Sequence, residues 1–128
     1  MSKIRGKKTK PEELVRKFLF SKGFRYRIND KRYSGRPDIV LPKYHTTIFI
    51  HGCFWHGHEN CKAAMLPETN TEFWRKKISD NEVRDRKNIE NLRNEGWKVI
   101  VIWQCEIKNK NNKDKRMELL IDQIINII

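Results

Sequence analysis

The chain has 128 residues, 38% of them hydrophobic and 34% charged, enough for one compact domain with a real core and too few for a second. Mean hydropathy is −0.82, and apolar runs such as 99–103 and 124–128 are too short to make a membrane-spanning helix. Lysine and arginine number 28 against 16 aspartate and glutamate, a net charge of +12 with four tryptophans interleaved, so the expected partner is a polyanion, and nucleic acid before a membrane surface.

The basic opening MSKIRGKKTK has no apolar stretch behind it; a secretory leader is not expected, a cytoplasmic location is, and residues 1–8 read as a basic flexible arm. Thr9-Lys10-Pro11-Glu12 has capping-box spacing ahead of Leu14, Val15, Phe18 and Leu19 at helical intervals, with Gly23 as the stop. Phe24, Tyr26 and Ile28 then alternate with Arg25 and Arg27 as in a strand. Asn29-Asp30 supplies a turn, and Gly35-Arg36-Pro37 leads into a second strand over 38–41. Pro42-Lys43 punctuates before a third strand over 46–50, which runs into His51-Gly52-Cys53, and a loop follows to Asn70.

The residues from Thr69 to Glu72 repeat the capping-box spacing and open a long helix through Asn94, with Gly96 as its stop. Its apolar face carries Trp74, Ile78, Ile89 and Leu92, and steps of three or four along that face reach Asn81 and Asp85, so a carboxylate points inward. The run 97–103 hardly alternates and reads as a central strand covered on both faces. Residues 108–116 read as a Lys-rich loop, and Met117, Leu120, Ile121, Ile124 and Ile128 mark a closing helix. The order αβββαβα predicts a single α/β domain over 1–128, a small mixed sheet flanked by helices.

All three cysteines and three of the four histidines invite a joint reading. Cys53, His58 and Cys61 lie within nine residues and Cys105 follows the last strand; together they supply the four borderline or soft ligands of a closed tetrahedral Zn²⁺ site. An odd number of cysteines speaks against a disulfide framework. His51 and His56 are left over beside that cluster, free for acid–base work near neutral pH, whereas His45 reads as an ordinary loop histidine. Asp38, at the start of an apolar strand, suits a hard cation such as Mg²⁺. Phe54, Trp55 and Trp74 lie beside basic surface where an aromatic ring can enter a base stack; Trp97 and Trp103 read as core.

Gly35-Arg36-Pro37-Asp38, the string from Ile48 through His51-Gly52-Cys53-Phe54-Trp55-His56, Thr71-Glu72-Phe73-Trp74, Arg84-Asp85-Arg86, and Gly96-Trp97 through Trp103-Gln104-Cys105 resemble the very short patch repair (Vsr) DNA mismatch endonucleases. The resemblance implies a restriction-endonuclease-like fold, a structural zinc and Mg²⁺-dependent nicking 5′ of the mispaired T in a T:G mismatch. Residue by residue, it makes Asp38 the Mg²⁺ carboxylate, with the Ile50 main-chain carbonyl as a further ligand, and His56 the general base. His51 would assist at the metal and phosphate, Asp85 would orient a catalytic histidine, and Glu12 would be the acid of the first helix. Cys53, His58, Cys61 and Cys105 become the zinc ligands, and Phe54, Trp55 and Trp74 the rings that intercalate at the mispair. The implied partner is duplex DNA bearing T:G, met by a monomer, with repair proteins as further partners. Two alternatives use the same features: a restriction-type nuclease acting on matched duplex through Asp38 and His56, and a zinc-stabilised DNA-binding module without activity.

Overall fold

A computed structural model describes residues 10–125 except Asn29 and Asn60; the expected arm, the Thr9 cap, the Asn29 half of the first turn and Ile128 lie outside the described residues. Helix α1 spans Lys10–Ser21, with Glu12 and Glu13 in its first turn, where the exposed amides of a helix start favour acids. Gly23 ends it at φ +90°: Lys22 N–H donates to the Phe18 carbonyl and Phe24 N–H to that of Leu19, a left-handed cap that a side chain would oppose.

Strands β1 (Arg27–Ile28), β2 (Ile39–Leu41), β3 (Thr46–His51) and β4 (Lys98–Trp103) form one sheet in the order β1-β2-β3-β4. The first two pairings are antiparallel and β3 pairs β4 in parallel. The alternation from Phe24 to Ile28 yields only two residues of strand, because β2 offers only three to pair with. Helix α2 (Thr71–Asn94) is the crossover between β3 and β4, as a parallel pair requires. Residues 110–125 form α3 (Lys110–Ile125).

Three expectations are corrected. Strand β4 is an edge strand of the described sheet rather than a central one. Its apolar run is explained by layers instead of neighbours: Ile100 and Ile102 are buried in the main core while Val99, Val101 and Trp103 on the opposite face are half-buried. From Lys110 onward the Lys-rich segment is the start of α3, not a loop. Asn109 Oδ1 accepts from the amides of Asn111 and Asn112 at 2.9 and 3.4 Å, capping the helix ahead of Lys110. Arg116 is then buried, donating to Glu106, Gln123 and the Val101 carbonyl. Finally, α2 does not open with the 69–72 capping box. Its N-cap is Asn70 at φ +56° without a side-chain cap bond, and the Thr71 hydroxyl turns back to the Pro67 and Glu68 carbonyls.

Alternation along the strands sorts the side chains into two layers. Ile39, Leu41, Ile48, Ile100 and Ile102 meet Val15 and Leu19 of α1 and Met117, Leu120 and Ile124 of α3 in one cluster. The opposite face carries Val40, Thr47, Phe49 and His51. His51 stands in register beside Trp103, and α2 lies over this side. Asp38 lies in a bend one residue before β2, and the antiparallel register that pairs Ile39 with Ile48 brings it beside the end of β3 that carries His51.

His45, at φ +51°, stacks its ring on Trp97 at 4.2 Å. No helix among the described residues is long and apolar enough to cross a membrane.

Candidate active site and metal centre

Asp38, Glu12, His51, His56 and Asp85, the five residues expected to carry the chemistry, line a single pocket of about 330 Å³, together with Gly35, Arg36, Arg84 and Asn88. Glu13, adjacent to Glu12 in sequence, is not part of that lining. Asp38 is held by the Ile50 amide, which donates to Oδ2 at 2.6 Å, and its carboxyl group also meets that of Glu12. Burial, with the neighbouring Glu12 carboxyl adding to it, raises the Asp38 pKa to about 6 against the Ile50 hydrogen bond that lowers it. Two converging acids, one of them costly to ionise, form a donor set that a hard divalent cation fits, because the cation would relieve both penalties. Arg16 offsets part of the same charge through its ion pair with Glu12 at 3.2 Å. Sequence reasoning missed this partner, whose signal is its i,i+4 spacing from Glu12 on a predicted helix.

The loop after β3 turns tightly. His56 N–H donates to the Gly52 carbonyl, Gly57 N–H to Phe54 and His58 N–H to Cys53. Gly57 has φ +62°, and a Cβ there would overlap the Glu82 carboxylate and come within 2.9 Å of Ile78 Cγ2, so α2 can approach only because this residue is glycine. The turn lays the His56 ring on that of His51, centroids 3.8 Å apart and 6° from parallel. His56 Nδ1 meets Asp85 Oδ2 at 2.5 Å, which orients the imidazole and leaves its other nitrogen to act on a proton. Burial first, and the facing His56 second, lower the His51 pKa to about 4, so this ring is neutral at pH 7. The ligand atoms of His51, His56 and Asp85 lie within 4.8 Å of one another. The parallel stack nevertheless sends the two in-plane lone pairs along separate planes, an arrangement that suits proton handling better than chelation of one ion.

The second cluster differs in kind. Ligand atoms of Cys53, His58, Cys61 and Cys105 all lie within 4.8 Å of one another, and Cys105 Sγ is 3.5 Å from His58 Nδ1. A tetrahedral Zn²⁺ with Zn–S near ~2.3 Å and Zn–N near ~2.0 Å has S–N edges of about 3.5 Å, so these donors fit. Burial raises the Cys105 pKa to about 12, helped by Cys53 and Cys61; three thiols crowded together without charge compensation are a set that awaits a cation.

Phe54, Trp55 and Trp74 form a third group, with ring centroids 5.1, 5.5 and 5.7 Å apart. Trp55 is 49% exposed. Phe73, to which the sequence reading assigns no role, packs edge-on against Trp74 at 5.1 Å and is 61% exposed; its signal is the adjacent aromatic pair at a helix start. Asn81 Nδ2 donates to the Trp55 carbonyl at 2.9 Å, tying this aromatic patch to α2. Trp103, read as core, is half-buried, stacks on His58 at 4.1 Å and meets His51 edge-on at 5.2 Å.

A family model described as DNA mismatch endonuclease Vsr matches residues 1–62. A type II nicking enzyme of Neisseria meningitidis, V.NmeAIP, is 57% identical over 97% of this chain and 88% of its own length. Another from Xanthomonas oryzae pv. oryzae, V.XorIIP, is 41% identical over 95% and 89%. The DNA mismatch endonuclease Vsr of Escherichia coli is 39% identical over 86% of this chain and 70% of its own length. On these similarities the chain belongs to the Vsr family of DNA endonucleases.

Proposed function

We propose that this protein is a Mg²⁺-dependent endonuclease that nicks one DNA strand 5′ of the mispaired T at T:G mismatches, on a single restriction-endonuclease-like domain with a structural zinc. The observation that carries this reading is the meeting of Asp38 and Glu12 with the His51–His56–Asp85 group in one pocket. Asp38, with the Ile50 carbonyl, would hold Mg²⁺, which when bound supplies Lewis-acid stabilisation of charge on the phosphate.

His56 accepts the proton of the attacking water at its outward nitrogen, and Asp85 on Nδ1 stabilises the imidazolium that forms. Water adds to phosphorus as the bond to the leaving sugar oxygen breaks. His51, neutral beneath His56, steadies the ring and keeps a second positive charge out of the stack. Arg36 and Arg84 at the rim neutralise the incoming phosphate. Cys53, His58, Cys61 and Cys105 would hold Zn²⁺ and so pin the loop that carries His56. Phe54, Trp55 and Trp74 serve as a wedge that enters the stack where a mispair has already weakened it.

Labelled duplexes carrying T:G or T:A in the same flanks test the reading. Mg²⁺-dependent nicking of the T:G strand alone is expected; equal cutting of both would make the enzyme a matched-duplex nuclease, and no cutting with any divalent ion would make it a binding module.

A further inference from the structure

Trp103 closes β4 in register with His51, and the side chains around it form a continuous run of four rings. The indole lies flat on His58, centroids 4.1 Å apart and planes 9° from parallel. Its edge meets His51 at 5.2 Å and 76°. His51 in turn lies flat under His56 at 3.8 Å, whose Nδ1 is fixed by Asp85. One end of the run belongs to the Cys₃His cluster and the other to the pocket with Asp38.

The run borders an open groove of about 580 Å³ lined by His51, His56, His58, Asp85 and Trp103 among others, so no close-packed layer on that side restrains the imidazoles. Trp103 is itself anchored: its amide donates to Glu106 Oε1 at 2.8 Å, and the same oxygen takes the buried Arg116 Nε at 3.2 Å. A tryptophan serving only the core would face the buried layer of Ile100 and Ile102; this one faces the other way.

We propose that Trp103 is a positioning residue that holds His51, and through it His56, at a fixed angle to the Cys₃His cluster, so that order at that cluster sets the aim of the general base. This rests on the reading of His56 as the group that takes the proton from water. Partners that orient a metal-liganding histidine from behind change metal affinity or activity by about 10- to 100-fold when removed, and Trp103 occupies that place for His58 while its edge bears on His51.

The test uses the full chain as purified with zinc and compares Trp103→Leu with Trp103→Phe, which keeps a stacking ring. Zinc per chain, DNA affinity, single-turnover nicking of a T:G duplex and the imidazole NMR resonances of His56 are measured for each. The expected result is unchanged zinc and affinity in both, nicking slowed about 10- to 100-fold in Trp103→Leu but not in Trp103→Phe, and displaced His56 resonances only in Trp103→Leu. Wild-type nicking with unmoved His56 resonances in Trp103→Leu overturns the proposal, as does a Trp103→Phe as slow as Trp103→Leu. If wild-type protein cuts no DNA, the functional reading fails, and the resonances still decide the positioning role. If Trp103→Leu does not fold, Trp103→Met takes its place: it fills more of the same space without a ring to stack and leaves the four zinc ligands untouched. Slowed nicking or displaced His56 resonances with zinc retained support the proposal, and wild-type behaviour in both overturns it.

Discussion

The Ile50 amide donates to Asp38 Oδ2 at 2.6 Å, so the acid that precedes β2 is steered by the neighbouring strand β3 rather than by its own loop. That bond lowers the Asp38 pKa, but burial and Glu12 outweigh it and leave the value near 6. The site is thus built at some expense to the metal-free fold.

A pH dependence follows from that raised value. Between the ordinary 3.8 and about 6 the folded chain keeps a proton that the unfolded chain has lost, so this group's contribution to stability falls as pH rises through that window and is flat above it. Asp38→Asn can still accept from Ile50 and has no charge to bury. In buffer without Mg²⁺ it is expected to exceed wild type at pH 7.5 by roughly 1 to 3 kcal/mol and by much less at pH 4, while losing Mg²⁺-dependent nicking. Urea denaturation at both pH values checks it; a gap that does not grow with pH would contradict the assignment.

Zinc binding is expected at one ion per chain, through Cys53, His58, Cys61 and Cys105. Because Cys105 is held as a thiol up to about 12 in the metal-free chain, the ion must displace that proton, and affinity should weaken as pH falls. Cys105→Ser should unfold or aggregate. Elemental analysis with thermal melts before and after chelation decides; a zinc-free chain whose melt ignores chelators would end this idea.

Discrimination of the mispair is expected to reside in the aromatic patch. Trp55→Ala, Trp74→Ala and Phe73→Ala should each shrink the ratio of T:G to T:A affinity, since a wedge gains most where stacking is already weak. Paired binding titrations measure that ratio, and unchanged values in all three variants would assign these rings to packing.

The first turns of α3 separate two roles of basic residues. Lys110→Gln and Lys115→Gln are expected to weaken T:G and T:A duplexes alike and to lower the salt slope by about 1 for each phosphate no longer neutralised, with little change in folding. Arg116→Met should leave the slope alone and destabilise by about 2 to 3 kcal/mol, because Glu106 and Gln123 lose a buried partner. Salt-dependent binding and urea midpoints on the same variants test both halves; a reduced slope for Arg116→Met would mean that its charge reaches DNA.

Features that depend on spacing along the chain were determined by the sequence alone. Three ligands within nine residues, an acid opening an apolar strand, Asp85 on the inner face of a helix and the αβββαβα order are all local patterns, because ligand chemistry and helical or strand periodicity operate over a few residues. Only tertiary structure decided that β4 is an edge strand, since an apolar run records how many faces are covered but not which strands lie beside it. It also decided that Arg116 turns inward and that Trp103 faces the histidines. A lysine-rich composition resembles a loop until Asn109 caps it as a helix, and a tryptophan at a strand end acquires its neighbours from the parallel register with β3, set by α2 across more than forty residues of intervening chain.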